Sequence, residues 1–227
     1  MALANCTGDI IYSLDDDGWL AADTLQICVD RFKEFPRAGV VGSSILAPDA
    51  NPTVFEPDTW HHVFSGGAAA IRREVLGRAG YYPSDFYRQA EEGDLALRIF
   101  EQGYEILRCP RAVMYHERSP INRNDKLFLY YNMRNELYTI IRRYPLRYIF
   151  PAMLQKIITW NYLGIRRRAF HYSSTGVVSA LFHLPQLIRE RDPVSINAVR
   201  KVWGLKVKSR YSAIRSDIVP AQDGSGK

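Results

Sequence analysis

Asp9-Ile10-Ile11-Tyr12-Ser13-Leu14-Asp15-Asp16-Asp17-Gly18 is an apolar, partly β-branched run that ends abruptly in three adjacent carboxylates. The alternation from Asp9 to Leu14 suits a buried strand, and Gly18 suits a loop leaving its carboxyl end. In open α/β sheets, ligands sit at that edge. Three neighbouring carboxylates resist ionising together unless a cation or a set of donors neutralises them. Mg²⁺ and Mn²⁺ favour carboxylate oxygen and commonly bring phosphate oxygens with them. An acidic turn that caps the following helix is the competing reading at this point.

The 227 residues suffice for one sizeable core, or a smaller core with an appendage, and a hydrophobic content of 47% marks a folded chain. Cys6, Cys28 and Cys109 are widely spaced and include no C-x-x-C pair, which points to reduced, packing cysteines. The net charge of +6 conceals a division. Residues 119–215 carry 18 Lys and Arg against 4 Asp and Glu, whereas the remainder carries 12 against 20. An acidic domain with a basic tail is the expectation, the tail facing anionic lipid, nucleic acid or water. No signal peptide is expected, since the first residues lead straight into the strand. Ala169 to Ile188 is uncharged and long enough to span a membrane, but it contains two His, several hydroxyls and Pro185. A segment lying in the membrane interface is the better expectation for it.

Along the chain, Leu25, Cys28, Val29 and Phe32 have the spacing of one helix face, which Pro36 ends. Gly39 to Leu46 reads as a strand and Ala47 to Asp58 as a Pro-rich connection. Trp60 to Leu76 reads as a strand interrupted by Gly66-Gly67 and followed by a short helix, the glycines admitting a close approach of backbone or ligand. Glu91-Glu92-Gly93-Asp94-Leu95-Ala96-Leu97-Arg98 reads as the opening of a helix that Gly103 closes. The dipole favours acids there, and Asp94 and Arg98 are spaced as an i, i+4 ion pair. A carboxylate at a helix start facing a ligand crevice is also well placed as a general base. Tyr104 to Arg108 and Ala112 to His116 read as two short strands. An imidazole at 116 could complete the coordination of a cation held by carboxylates, if Asp17 lies beside it. From Asn124 the spacing turns helical, with aromatic runs and basic clusters such as Arg166-Arg167-Arg168. A cationic amphipathic region of this kind suits an anionic membrane surface, or else packs on the core with a solvated basic face. Ser216 to Lys227 reads as a disordered tail.

Taken in order, four segments resemble family 2 glycosyltransferases of the GT-A fold, particularly bacterial rhamnosyltransferase-like members that build surface polysaccharide. They are Leu14-Asp15-Asp16-Asp17, Ser65-Gly66-Gly67 with Arg72-Arg73 behind it, Glu91 to Arg98, and Val113-Met114-Tyr115-His116. Tyr131-Asn132-Met133-Arg134-Asn135-Glu136-Leu137 is similar to the aromatic, Arg-Asn helix that often follows that catalytic domain. The resemblance implies a GT-A-like, Rossmann-like mixed sheet over residues 1–118 that lacks its first strands, a basic amphipathic helical region over 119–215 associated with the membrane, and a tail over 216–227.

Position by position, the resemblance makes Asp15 and Asp17 the acids of a D-x-D motif that binds the nucleotide sugar together with Asp16. Asp17, Asp15 and His116 would be ligands of Mg²⁺ or Mn²⁺, and Ser65, Gly66 and Gly67 would border the sugar and acceptor. Glu91, Asp94 and Arg98 would line the acceptor side, and Glu92 would be the catalytic base where the family usually has Asp. That exchange leaves Glu91 and Asp94 open as alternative bases. The implied activity is inverting sugar transfer from a nucleotide-sugar donor to a glycan or lipid-linked acceptor, at the cytoplasmic face of a bacterial membrane. A partner chain or upstream segment would supply the missing strands. A catalytically inactive remnant acting as a membrane-bound interaction module is the alternative. Nucleic-acid binding is not expected, since no such motif appears.

Overall fold

The apolar runs pair into one mixed sheet in the computed structural model, which describes residues 3–50, 54–117 and 125–218. Its strands are β1 (Ile10–Leu14), β2 (Gly18–Leu20), β3 (Ala38–Leu46), β4 (Thr59–His61), β5 (Ala68–Arg72) and β6 (Glu105–His116). Their order is β1-β5-β3-β6-β2, with β4 also paired to β6. β3 and β6 run parallel, and the other pairs are antiparallel. β1 lies at the edge, and only Ile11 of its five residues is buried, so the strand is more exposed than its composition suggests.

Two expected strands are one. β6 continues through Pro110, where its register with β3 jumps from Ser43↔Cys109 to Ser44↔Val113. Pro110 has no N–H to offer the ladder, so the chain bulges there instead of ending. Thr24, fully buried, fills the gap by donating to the Val113 carbonyl at 2.7 Å and accepting from the Val113 N–H at 3.1 Å.

α1 (Thr24–Glu34) covers one face of the sheet, packing Cys28 and Phe32 on Val41, Ala70 and Leu107. The acidic turn at 15–17 does not cap it: Asp23 holds the N-cap position, and the turn runs into β2. The opposite face carries α2 (Arg73–Ala79) and α3 (Glu91–Glu101), with Leu95 and Ile99 set against Val40, Ile71 and Ile106. Cys28 and Cys109 are buried and Cys6 is exposed, and burial pushes the Cys28 thiol up to about 12.

The basic half is helical: α4 (Asp125–Arg143), α5 (Leu146–Arg166), α6 (Phe170–Phe182), α7 (Leu184–Arg189) and α8 (Ile196–Ile218). α4, α6 and α7 share a core of Met133, Leu137, Ile141, Ala180 and Leu187. α8 returns to the sheet domain, adding Ala198 and Val199 to its core and an ion pair from Lys201 to Glu105. The uncharged stretch 169–188 is split between α6 and α7 at His183. Among the described residues, no helix is long and apolar enough to cross a membrane. Residues 216–218 belong to α8 rather than to a disordered tail, while 219–227 and the expected boundary at 118/119 lie outside the described residues.

Candidate active site

The turn Asp15–Asp17 leaves β1 and enters β2, whose Gly18 pairs with His116 at the end of β6. That pairing brings residues a hundred positions apart together. One ligand atom from each of Asp15, Asp17 and His116 lies within 4.8 Å of the others, and His116 Nε2 is 2.9 Å from Asp17 Oδ1. The two carboxylates are exposed and the imidazole half-buried. Two carboxylates and one imidazole form a donor set that suits Mn²⁺ or Mg²⁺, with open positions left for a substrate's oxygens. Asp16, exposed in the same turn, is not part of the cluster.

Gly66 and Gly67 lie between two acids. A Cβ on Gly67 would fall on the Asp15 carboxylate. A Cβ on Gly66 would come within 2.7 Å of Glu92 Oε1 and 3.3 Å of the Tyr82 hydroxyl. Backbone bonds fix both sides: Asp15 N–H donates to the Gly67 carbonyl at 3.2 Å, and Gly66 N–H donates to Glu92 Oε1 at 3.0 Å. Only residues without side chains let the D-x-D turn and the start of α3 approach the same dipeptide. Ser65, next to them, is exposed.

Burial raises the pKa of Glu92 above the usual carboxylate range, and the neighbouring Glu91 adds to the rise. Glu91 is raised as well, again mainly by burial, and its Oε2 is buried without a hydrogen-bond partner. The Tyr82 hydroxyl, also buried without a partner, is held protonated by burial and by Glu92, Glu91 and Asp15. A desolvated carboxylate with a raised pKa beside a trio of potential metal ligands has the character of a general base.

Asp94 and Arg98 do not face this site, which corrects the expectation of acceptor contacts. Asp94 is 0% exposed and accepts from Arg98 Nε at 2.8 Å and Arg143 Nε at 2.9 Å. Arg98 is spent on the carbonyls of Ala79 and Tyr81, where Gly80 with φ 78° closes α2. A carboxylate clamped by two guanidiniums away from solvent cannot accept a substrate proton, so Asp94 is excluded as the base.

The Arg-Asn helix contributes to the site through a strap that the sequence does not reveal. Gln89 and Ala90, just before Glu91, have φ of 70° and 64°. Neither is glycine, so both are held in a region that costs an L-residue energy. Asn135 of α4, 0% exposed, donates one N–H to the Arg88 carbonyl at 2.8 Å and one to the Gln89 carbonyl at 2.7 Å. Arg134 supports this strap through Asn135 Oδ1 at 2.8 Å and the Asp85 carbonyl at 2.9 Å.

Residues 1–80 match the family model described as Glycosyl transferase family 2. A curated relative, the glucosyl-dolichyl phosphate glucuronosyltransferase of Haloferax volcanii, is 26% identical over 149 residues, covering 55% of this chain and 45% of its own. The chain thus spans about half the length of the curated relative it matches. Among solved structures, S. aureus TarS 1-349 superposes with a TM-score of 0.54 at 14% identity, over 82% of this chain and 58% of that one. GalNAc-T7 with UDP, GalNAc and Mn²⁺ gives 0.50 at 14%, over 64% of this chain and 34% of that one. The sheet order, the likeness to these glycosyltransferases and the match over β1 to α2 agree with one another: the fold is GT-A-like, and residues 1–80 are similar to glycosyl transferase family 2.

Proposed function

We propose that this chain carries the metal-dependent, inverting transfer of a sugar from a nucleotide-sugar donor to a lipid-linked or glycan acceptor. The observation that carries the proposal is the juxtaposition across Gly66-Gly67 of a cation-binding cluster and a desolvated carboxylate. TarS is also solved with UDP-GlcNAc, which supports the donor class, and the Haloferax relative is named for a glucosyl-dolichyl phosphate, which supports a lipid-linked acceptor.

Asp15, Asp17 and His116 would hold Mn²⁺ or Mg²⁺, which when bound neutralises the charge of a departing nucleoside diphosphate. Glu92, fixed by the Gly66 N–H, takes the proton of the acceptor hydroxyl. As that proton leaves, the acceptor oxygen bonds to the anomeric carbon, and the bond from that carbon to the phosphate oxygen breaks on the opposite face. The buried Tyr82 hydroxyl beside Glu92 adds a neutral donor to the same wall.

The helical half supplies a membrane contact in this reading. Leu146, Phe150, Leu154, Ile158, Tyr162 and Ile165 recur every three or four residues along α5 and are 47–77% exposed. Exposed Arg147, Arg166 and Arg168 lie on the same helix or just past its end. An apolar ridge with flanking arginines fits the surface of an anionic bilayer, with the protein peripheral to it.

The test uses Mn²⁺ titration followed by electron paramagnetic resonance, with sugar transfer assayed alongside. Asp17→Asn and His116→Ala should each weaken Mn²⁺ binding at least tenfold. Glu92→Gln should leave Mn²⁺ binding intact and lower transfer about 10²–10⁴-fold, the usual contribution of a general base. Full turnover in Glu92→Gln would refute the assignment of the base. Mn²⁺ binding with no transfer in the unaltered chain would favour the inactive-module reading.

A further inference from the structure

We infer that the half-open cavity between α3, α4, α5 and α8 binds the apolar segment of an amphiphilic acceptor, with the reacting hydroxyl presented to Glu92; this rests on the proposed transfer reaction. The cavity is about 450 Å³, within the range of small-molecule sites and far above the voids that close packing leaves. The larger part of its lining is apolar, with Leu97, Ile140 and Trp203, and Glu92, Glu136 and Lys156 are among the charged residues that line the rest. Glu92 also lines a second cavity of about 400 Å³ on the side of Gly42, Ser65 and Arg108. The carboxylate is therefore the wall between two spaces. Asp15, Asp17 and His116 do not line the first cavity, which leaves it for the molecule that gives up a proton to Glu92 rather than for the one that meets the acids.

Two observations identify the occupant's chemistry. Thr139, 7% exposed, lines the cavity with its Oγ1 buried and without a hydrogen-bond partner, whereas Glu136 and Lys156 in the same lining pair with each other, so a polar group of the occupant is called for at Thr139. In addition, α5 presents Ala152 to the cavity and Phe150, Leu154 and Ile158 to the outside. One helix thus separates the cavity from the ridge suited to lipid. An acceptor with an alkyl or isoprenoid chain meets both surfaces, whereas a free polar sugar would leave the apolar walls wetted.

The experiment titrates methyl, hexyl and octyl β-glucosides into the full chain by isothermal calorimetry, below the detergents' micellar concentrations. Methyl glucoside should show no binding, and affinity should rise about fourfold per added methylene until the cavity is filled. Ala152→Trp, which fills the cavity, and Val207→Trp, which closes its mouth from a position 51% exposed, should each weaken octyl glucoside binding more than tenfold. Val207→Trp demands no repacking, so it remains informative if Ala152→Trp does not fold. Phe150→Glu on the outer ridge should leave the affinity unchanged. Binding independent of chain length, unaffected by Val207→Trp, or lost in Phe150→Glu overturns the inference. Loss of Mn²⁺ binding or transfer with alkyl glucoside binding intact would instead count against the proposed reaction and leave the cavity assignment standing.

Discussion

Replacing Asn135 by Ala removes the strap over the two strained residues that present Glu91 and Glu92. Asn135 contributes two hydrogen bonds, at 2.8 and 2.7 Å, each worth about 0.5–1.5 kcal/mol net. Left-handed backbone at Gln89 and Ala90 costs roughly 1–2 kcal/mol per residue. Restraint and strain are thus of similar size, and without the side chain the segment should relax toward ordinary φ and carry Glu92 with it. A displacement of about 1 Å at a reacting group can cost on the order of a hundredfold. Asn135→Ala is therefore expected to lower transfer ten- to a hundredfold and to lower Tm by about 4–8 °C, taking ~2 kcal/mol for a chain of this size. Mn²⁺ affinity should not change, because β1, β2 and β6 hold the cluster without help from α4. Ala90→Gly removes part of the strain, so the double variant Ala90→Gly/Asn135→Ala should recover part of the activity, and a double-mutant cycle measures the coupling. Wild-type transfer in Asn135→Ala despite a lowered Tm would show that the strap does not position the carboxylate.

Other outcomes follow from the same geometry. Asp94→Asn leaves Arg98 buried without a charge partner, while Arg143 keeps Asp192, and should destabilise by about 3 kcal/mol, read by urea unfolding. Glu92→Gln should raise Tm at pH 8. The folded-state pKa of Glu92 is raised, so its stabilising, protonated form is fully present only below the unfolded value and is lost as pH rises through the folded value; the gap from wild type should close as pH falls through the carboxylate range. Phe150→Glu with Ile158→Glu should abolish sedimentation with vesicles rich in phosphatidylserine, whereas raising salt from 0.1 to 0.5 M should only weaken it, as expected when apolar insertion outweighs charge.

Much of the architecture was legible because its signals are local. Val40, Val41 and Ile45 mark β3, and the spacing of Cys28 and Phe32 marks α1 with Pro36 beyond it. The meeting of Asp15, Asp17 and His116 was legible only through likeness to a family, since nothing in the spacing of 15, 17 and 116 reveals that β2 returns to pair with β6. Where the reading failed, a distant residue decided the outcome. Asp94 and Arg98 do form the expected i, i+4 pair, but Arg143, 49 positions on, closes over the carboxylate and keeps both from acceptor contacts. Pro110 looks like a strand terminator, but Thr24 supplies the hydrogen bonds that let β6 continue. The strain at Gln89 and Ala90 has no sequence signal, because neither residue type favours positive φ; only the strap from α4 makes it affordable.

The basic character of residues 119–215 changes meaning once its partners are known. Much of that charge is directed inward: Arg142 binds Asp85 and Glu190, Arg143 binds Asp94 and Asp192, Lys156 binds Glu136, and Lys201 binds Glu105. Arg191 caps the carbonyls of Ile141 and Tyr144, and Arg134 lies over the rings of Tyr130, Tyr131 and Tyr138. These six cations tie the helices to one another and to the acidic sheet domain, which is where the opposite charge of the chain resides. The net count therefore overstates what is available to an anionic bilayer, at about 1 kcal/mol for each Lys or Arg near its surface. A fully buried large apolar side chain gains about 1.5–3 kcal/mol, so the six outward residues of α5 outweigh the arginines beside them even when only partly inserted. In the proposed membrane contact, apolar area would thus set the strength and charge the orientation. The inner face of the same helix is left to wall the cavity that ends at Glu92.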